Sequence, residues 1–232
     1  MRRRYKAMIS RTQFQQEILP VVLKFEGGYS NMPGDKGGET YRGISRLKNP
    51  DWAGWKVIDK FKKPNILSKT KIIPQNTIFP ELELLVVNFY FDNYFVKNGF
   101  HLLSNPKTAL TLFDWAVHGG YSLSKVKEVM QQAFGKKINE TTFNNKVAAV
   151  LDSVDQNRLN AALIDKRKGR LNQIVQANPD QAKFMPGWNN RIDTLKNLTV
   201  SQKAGIGATG LFLAGFAAYL IFGRKRTRGD KK

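Results

Sequence analysis

No cysteine occurs in the 232 residues, and histidine is scarce, with only His101 and His118. The first absence excludes a disulfide scaffold, thiolate zinc sites and a cysteine nucleophile. The second leaves little room for a histidine-rich metal centre or a serine triad, so neither a metal nor a cofactor is expected. The N-terminus shows no secretory signal, because no apolar stretch of adequate length follows the basic MRRRYK. Internal repeats and long Gly/Ser linkers are also missing. Apolar residues make up 41% of the chain, with 15 Phe, 7 Tyr and 4 Trp, which is enough for a sizeable core and excludes global disorder.

Acidic residues are few, 18 against 38 Lys and Arg, for a net charge of +20. Residues 1–11 and 223–232 carry +5 each, which leaves +10 on the body between them. A basic body suits a polyanionic partner: nucleic acid, anionic lipid, or a bacterial wall with its acidic peptides and polymers. Solubility alone is the competing account of such a surface.

Residues 204–222, AGIGATGLFLAGFAAYLIF, form the longest uncharged run, bounded by Lys203 and by Arg224-Lys225-Arg226. As a helix it would be about 28 Å long, close to the hydrocarbon thickness of a bilayer. The expectation is a transmembrane helix, with Tyr219 near one interface. Gly210, Ala214 and Ala218 recur every four residues and would give weak self-association through a small-residue face. Two arguments on orientation oppose each other. The basic residues after the span place the tail toward the cytoplasm, whereas the missing signal leaves the body on the side of synthesis.

The body reads as mainly helical. Ser10 or Thr12 caps a first helix whose Phe14, Ile18, Val21, Val22 and Phe25 share a face, with a kink at Pro20 and a stop at Gly27-Gly28. Residues 29–43 are turn-rich and predict a hairpin or tight loop. Helices are expected over 81–97, from Asn105-Pro106 to Gly119-Gly120, and over about 124–134, 143–153, 156–177 and 187–197. The stretch 62–80, with Pro64, Pro74 and Pro80, reads as an irregular connection.

Candidate chemistry lies where the first helix meets the turn-rich segment. Glu26 stands between apolar Phe25 and Gly27-Gly28, and Asp35 follows nine residues later in a glycine-rich loop. Partial burial and a helix C-terminal dipole both favour the protonated form of Glu26, while a polar loop keeps Asp35 ionised. Two carboxyl groups with proton affinities pushed apart are what glycoside cleavage requires. Thr40 is placed to hold a water against Asp35. Spacing alone fits a surface glutamate equally well.

The run Glu26-Gly27-Gly28-Tyr29-Ser30-Asn31 and the run from Asp35 to Ser45, DKGGETYRGIS, closely resemble the signature of glycoside hydrolase family 108, the phage-type N-acetylmuramidases. The resemblance continues in Pro50–Trp55, Leu112–Val117, Met130–Gly135 and Pro186–Ile192, and covers about residues 10–197. It implies a mainly helical, two-lobed, lysozyme-like domain that cleaves the β-1,4 bond between N-acetylmuramic acid and N-acetylglucosamine. The family's catalytic glutamate corresponds to Glu26. The Glu26, Asp35, Thr40 set also looks like that of phage lysozymes of the T4 type, so Asp35 and Thr40 are expected to orient water or stabilise the transition state. Tyr29, Asn31 and Tyr41 are the candidates for the sugar cleft, with a core role open for either tyrosine. In one departure, residues 137–142 (KINETT) lack the aspartate and glycines of the DG-x-x-G-x-x-T stretch found in the family's C-terminal part.

The expected organisation is a basic arm (1–9), a muramidase domain (10–197) with a C-terminal part (about 106–197) resembling the family's peptidoglycan-binding region, a transmembrane helix (204–222) and a basic tail (223–232). The fold class is mainly α, with a small hairpin or loop after the catalytic helix and one C-terminal transmembrane helix. Peptidoglycan is the expected substrate, with membrane lipid as a partner through 204–222 and nucleic acid the less favoured polyanion. The expected location is the internal membrane of a phage virion or a bacterial inner membrane, through a single C-terminal anchor. Two other readings stand beside the muramidase: a lytic transglycosylase, and a non-catalytic wall-binding protein on a lysozyme scaffold.

Overall fold

The computed structural model describes residues 8–32, 38–62 and 72–198. The chain enters a first helix, α1, capped by Ser10, whose side chain accepts from the Gln13 amide. Its turns are α-helical at Arg11–Gln13, π-helical at Phe14–Ile18 and α-helical again at Leu19–Glu26. The wide turns come just before Pro20, which has no amide hydrogen to close a regular turn. Phe14 and Ile18 are fully buried, and Phe14 packs on Phe91, Phe95 and Phe113 at ring-centroid distances of 5.2, 4.6 and 5.2 Å. The helix that ends at Glu26 is thereby fixed against the middle of the molecule.

The turn-rich segment forms a three-stranded antiparallel sheet, β1 (Tyr29–Ser30), β2 (Thr40–Tyr41) and β3 (Ile44–Ser45), in that spatial order. Tyr29 pairs with Tyr41, and Tyr41 with Ile44. Only Arg42 and Gly43 lie between β2 and β3, at φ +48° and +76°. Positive φ at both positions is the signature of a tight hairpin turn whose twist matches its strands. Gly28 is required on other grounds, since a Cβ there would meet the Asn76 carbonyl oxygen at 2.5 Å.

Helix α2 (Gly54–Lys62) packs Trp55 and Ile58 inward. Helix α3 starts as a 3-10 turn (Pro80–Leu82), continues as α-helix (Glu83–Tyr90) and ends in π turns (Phe91–Val96). Asn105 caps α4 (Pro106–His118), with proline at the start and Gly119 at the end. Then follow α5 (Leu123–Phe134), α6 (Asn145–Asp152), the long α7 (Gln156–Ala177), a 3-10 stretch (Pro179–Phe184) and α8 (Met185–Asn197). One main core runs from Ile9 to Leu195 through every helix from α1 to α8, and a small second cluster joins Ile164, Leu171 and Ile192.

The described residues are mainly helical, but the expected fold class needs correction. Among them no helix is long and apolar enough to cross a membrane. The longest, α7, alternates apolar positions with charged ones, as a helix half in water must. Residues 204–222, including Gly210, Ala214 and Ala218, and both basic ends (1–7 and 223–232) lie outside the described residues. The irregular connection expected over 62–80 falls partly there too, since residues 63–71 are not described.

Candidate active site

Glu26 is the last residue of α1, and the β2–β3 turn presses against its side chain. A Cβ on Gly43 would lie 2.5 Å from Glu26 Oε2 and 2.6 Å from the Tyr90 hydroxyl oxygen. The turn is held there from two sides. The Tyr90 hydroxyl donates to the Arg42 carbonyl at 2.6 Å, and the Arg42 guanidinium reaches Glu83 at 3.2 Å and the Gly27 carbonyl at 3.5 Å. These bonds stabilise Arg42 in a left-handed conformation that a side chain seldom adopts.

On its other flank Glu26 meets Arg191 of α8, with Oε1 and Nη2 2.8 Å apart. The two touch as an ion pair without an aligned N–H, so neither atom has a well-directed hydrogen bond. Arg191 is bound more firmly to Asp114 of α4: its Nε donates to Asp114 Oδ1 at 2.8 Å. Asp114 Oδ2 accepts from Nη1 of Arg167, on α7, at 2.6 Å. Asp114 is fully enclosed, and Arg167 and Arg191 are 2% and 6% exposed. The Phe25 ring lies 5.1 Å from the Arg191 guanidinium and covers it from the α1 side.

Burial dominates the proton affinity of Glu26 and raises its pKa above 4.5, against the charge of Arg191 and with a smaller push from Asp114. Taking a carboxylate out of water costs more than one poorly aligned guanidinium returns. The neighbouring Tyr90 and Tyr94 hydroxyls are also raised, first by burial and then by the charge of Glu26. His118, one turn beyond Asp114 on α4, is pushed down to about 4 by burial and by Arg167 and Arg191. Its ring stands edge-on to Trp188 at 6.2 Å, and burial beside the two arginines keeps it neutral near pH 7.

The other sequence candidates separate. Asp35 lies outside the described residues. Thr40 stands on β2 and donates its hydroxyl to the Gly38 carbonyl at 3.1 Å. Asn31 is exposed beyond β1. Tyr41 takes the core role left open for it: it is fully enclosed, and its hydroxyl donates to the Phe79 carbonyl and accepts from the Phe79 amide. Tyr29 is 4% exposed, and its hydroxyl bonds Glu39, an arrangement that with burial lifts it to about 12. Trp115 is core as well, at 1% exposure.

Three further acids of α4, α3 and the sheet segment have cationic partners of their own. Asp114 has its two arginines, Glu83 has Arg42, and Glu39 has Arg46 and Lys62. A polar cavity of about 710 Å³ between Asn105, Gln156 and Lys196 contains none of the residues around Glu26. No group of acids and histidines among the described residues is arranged to hold a metal ion.

Asp114, Arg167 and Arg191 were not identified as site residues from the sequence, yet each carried a signal. Asp114 interrupts the apolar series Leu112, Phe113, Trp115, Ala116. Arg167 sits in a basic run but falls on the face of Leu163, Ile164 and Leu171, and Arg191 falls beside Ile192 and Leu195. A charge on an apolar helical face needs a buried partner.

No curated protein matches the chain. A solved structure described as "Structure of Brucella abortus SagA" has a similar fold, with a TM-score of 0.50 at 21% identity, over 77% of this chain and 88% of that one. Residues 19–120, which carry Glu26, the sheet and Asp114, match the family described as Glycosyl hydrolase 108.

Proposed function

We propose that this protein is a peptidoglycan hydrolase of the N-acetylmuramidase type, with Glu26 as its general acid. The observation that carries the reading is a carboxyl at a helix end, mostly buried, and raised in pKa despite an arginine at 2.8 Å. Such a group keeps its proton nearer to neutral pH and delivers it to the glycosidic oxygen as the C–O bond breaks. The match of residues 19–120 to glycosyl hydrolase 108 supports a glycoside as the substrate.

Positive charge then develops on the sugar, and cleavage by water needs a second group to orient that water or to stabilise the cation. Asp114, Glu83 and Glu39, acids of α4, α3 and the sheet segment, are held by cations, and the family resemblance assigns this role to Asp35, assisted by Thr40, whose hydroxyl oxygen retains acceptor capacity while its proton is on Gly38. A lytic transglycosylase is the second reading, and the engagement of those nearby acids favours it. It needs one acid and no water, and leaves an anhydro sugar end.

Glu26→Gln is expected to lower murein digestion by at least about 100-fold, measured as release of soluble fragments from purified sacculi. Equal clearing by variant and parent would remove the assignment. Sugar ends in the digest distinguish the two readings: reducing ends support the muramidase, and anhydro ends alone the transglycosylase.

A further inference from the structure

We propose that Asp114 is a positioning residue for the general acid: by holding Arg191 on one oxygen and Arg167 on the other, it sets how strongly the Arg191 charge acts on Glu26. This rests on the reading of Glu26 as the acid and extends it to residues from α4, α7 and α8.

The geometry supplies the reason. Arg191 contacts two carboxyl groups and is aligned with only one. Its Nε donates squarely to Asp114 at 2.8 Å, whereas its contact with Glu26, also 2.8 Å, is an ion pair without a directed N–H. Asp114 thus takes the oriented bond, and its negative charge offsets part of the Arg191 field at Glu26. All three charged partners are at least nine-tenths buried, so solvent screens their interactions little. Arg167 completes the balance: two guanidinium groups face Asp114 and Glu26, a neutral set when Glu26 is ionised.

Among the described residues, the other groups around Glu26 do not alter this balance near neutral pH. Tyr90 and Tyr94 of α3 stay protonated, His118 of α4 stays neutral, and Arg42 of the sheet turn has Glu83 as its own counter-ion. Removing the Asp114 charge leaves both arginines opposite Glu26 alone, which then holds its negative charge more readily and its proton less. Removing the Arg191 charge does the reverse. A general acid must be protonated to act, so its ionisation forms the alkaline limb of the rate–pH profile.

The test is the pH dependence of murein digestion by the full-length parent, Asp114→Asn, Arg191→Gln and the double variant. Asp114→Asn is expected to move the alkaline limb down by about one pH unit, and Arg191→Gln to move it up by about as much. The double variant should return toward the parent. A purely structural role would lower the rate at every pH and leave the limbs in place, so unmoved limbs, or limbs that move in the same direction, overturn the proposal. If Asp114→Asn does not fold alone, the double variant set against Arg191→Gln supplies the Asp114 effect, read also by an NMR titration of the Glu26 carboxyl, and a limb no lower in the double variant than in Arg191→Gln overturns the proposal. Glu26→Gln in the same assay separates the two failures. Full activity in that variant rejects Glu26 as the acid, whereas an inactive Glu26→Gln beside unmoved limbs rejects only the role of Asp114.

Discussion

Glu26 is costly to the fold in its ionised form. Its folded pKa is raised, so its contribution to stability is fully present below the unfolded value near 4.5 and is lost as pH rises through the folded value. Glu26→Gln is therefore expected to match or exceed the parent in Tm at pH 7 while losing activity, as calorimetry of both proteins would show. Gly43 presents the opposite case. Its φ of +76° and the 2.5 Å approach of a Cβ to Glu26 Oε2 mean that Gly43→Ala must lift the turn away from the carboxyl. A loss of about 1–3 kcal/mol in denaturant unfolding is expected, with slower digestion. Both glycines of the EGGY run were legible in the sequence as a helix stop. The close approach of Gly43 was not, because its neighbours, Glu26 and Tyr90, come from other elements.

At the scale of elements, the sheet is small and depends on side chains to hold it. Arg46 of the segment after β3 donates two bonds to Asp59 of α2 at 2.7 Å and one to Glu39 at 2.9 Å, and Lys62 of α2 also pairs with Glu39. Burial would raise the Glu39 pKa, but Lys62 and Arg46 outweigh it and hold it below 4.5. The Arg46 hydrogen bonds likewise hold Asp59 below 3.8. Groups with depressed folded pKa values stabilise above their unfolded values, and that stability is lost as pH falls through the folded ones. Glu39→Gln should thus destabilise by about 1 kcal/mol at pH 7, a modest figure because Arg46 and Lys62 are each about a third exposed. The difference from the parent should vanish in acid, which urea unfolding across pH would reveal. Turn chemistry in residues 29–43 read as a hairpin or a tight loop, and the strands make it a hairpin with a third strand added; the caps at Ser10 and Asn105 marked α1 and α4. The π turns of α1 and α3 were not foretold; those of α1 precede Pro20, and Phe14 there packs on Phe91 and Phe95 of α3, which are remote in the chain.

For the molecule as a whole, the charge of +20 now divides by use. Arg167 and Arg191 are internal, Arg42, Arg46 and Lys62 hold the sheet, and Lys166 and Lys168 answer Glu128 and Asp193. Among the described residues, cations outside these pairs are the candidates for the anionic substrate proposed above. Binding of the Glu26→Gln protein to purified sacculi is expected to weaken about tenfold between roughly 50 and 500 mM salt, since screening shortens from more than 10 Å to a few ångström. A pull-down at several salt concentrations measures it, and salt-independent binding would assign recognition to neutral contacts.

The sequence by itself determined the helical periodicity, the caps and glycine stops, and the single motif that places a glutamate at a helix end, because each depends on residues near one another in the chain. Tertiary structure alone decided what surrounds that glutamate. Arg191 lies 165 positions away and Asp114 lies 88, and burial together with their mutual bonds, rather than any local pattern, brings them to it. The same closure enclosed Tyr41 in the core and gave its hydroxyl to Phe79. Proton affinity in a buried site is set by neighbours in space, and chain order does not specify those neighbours.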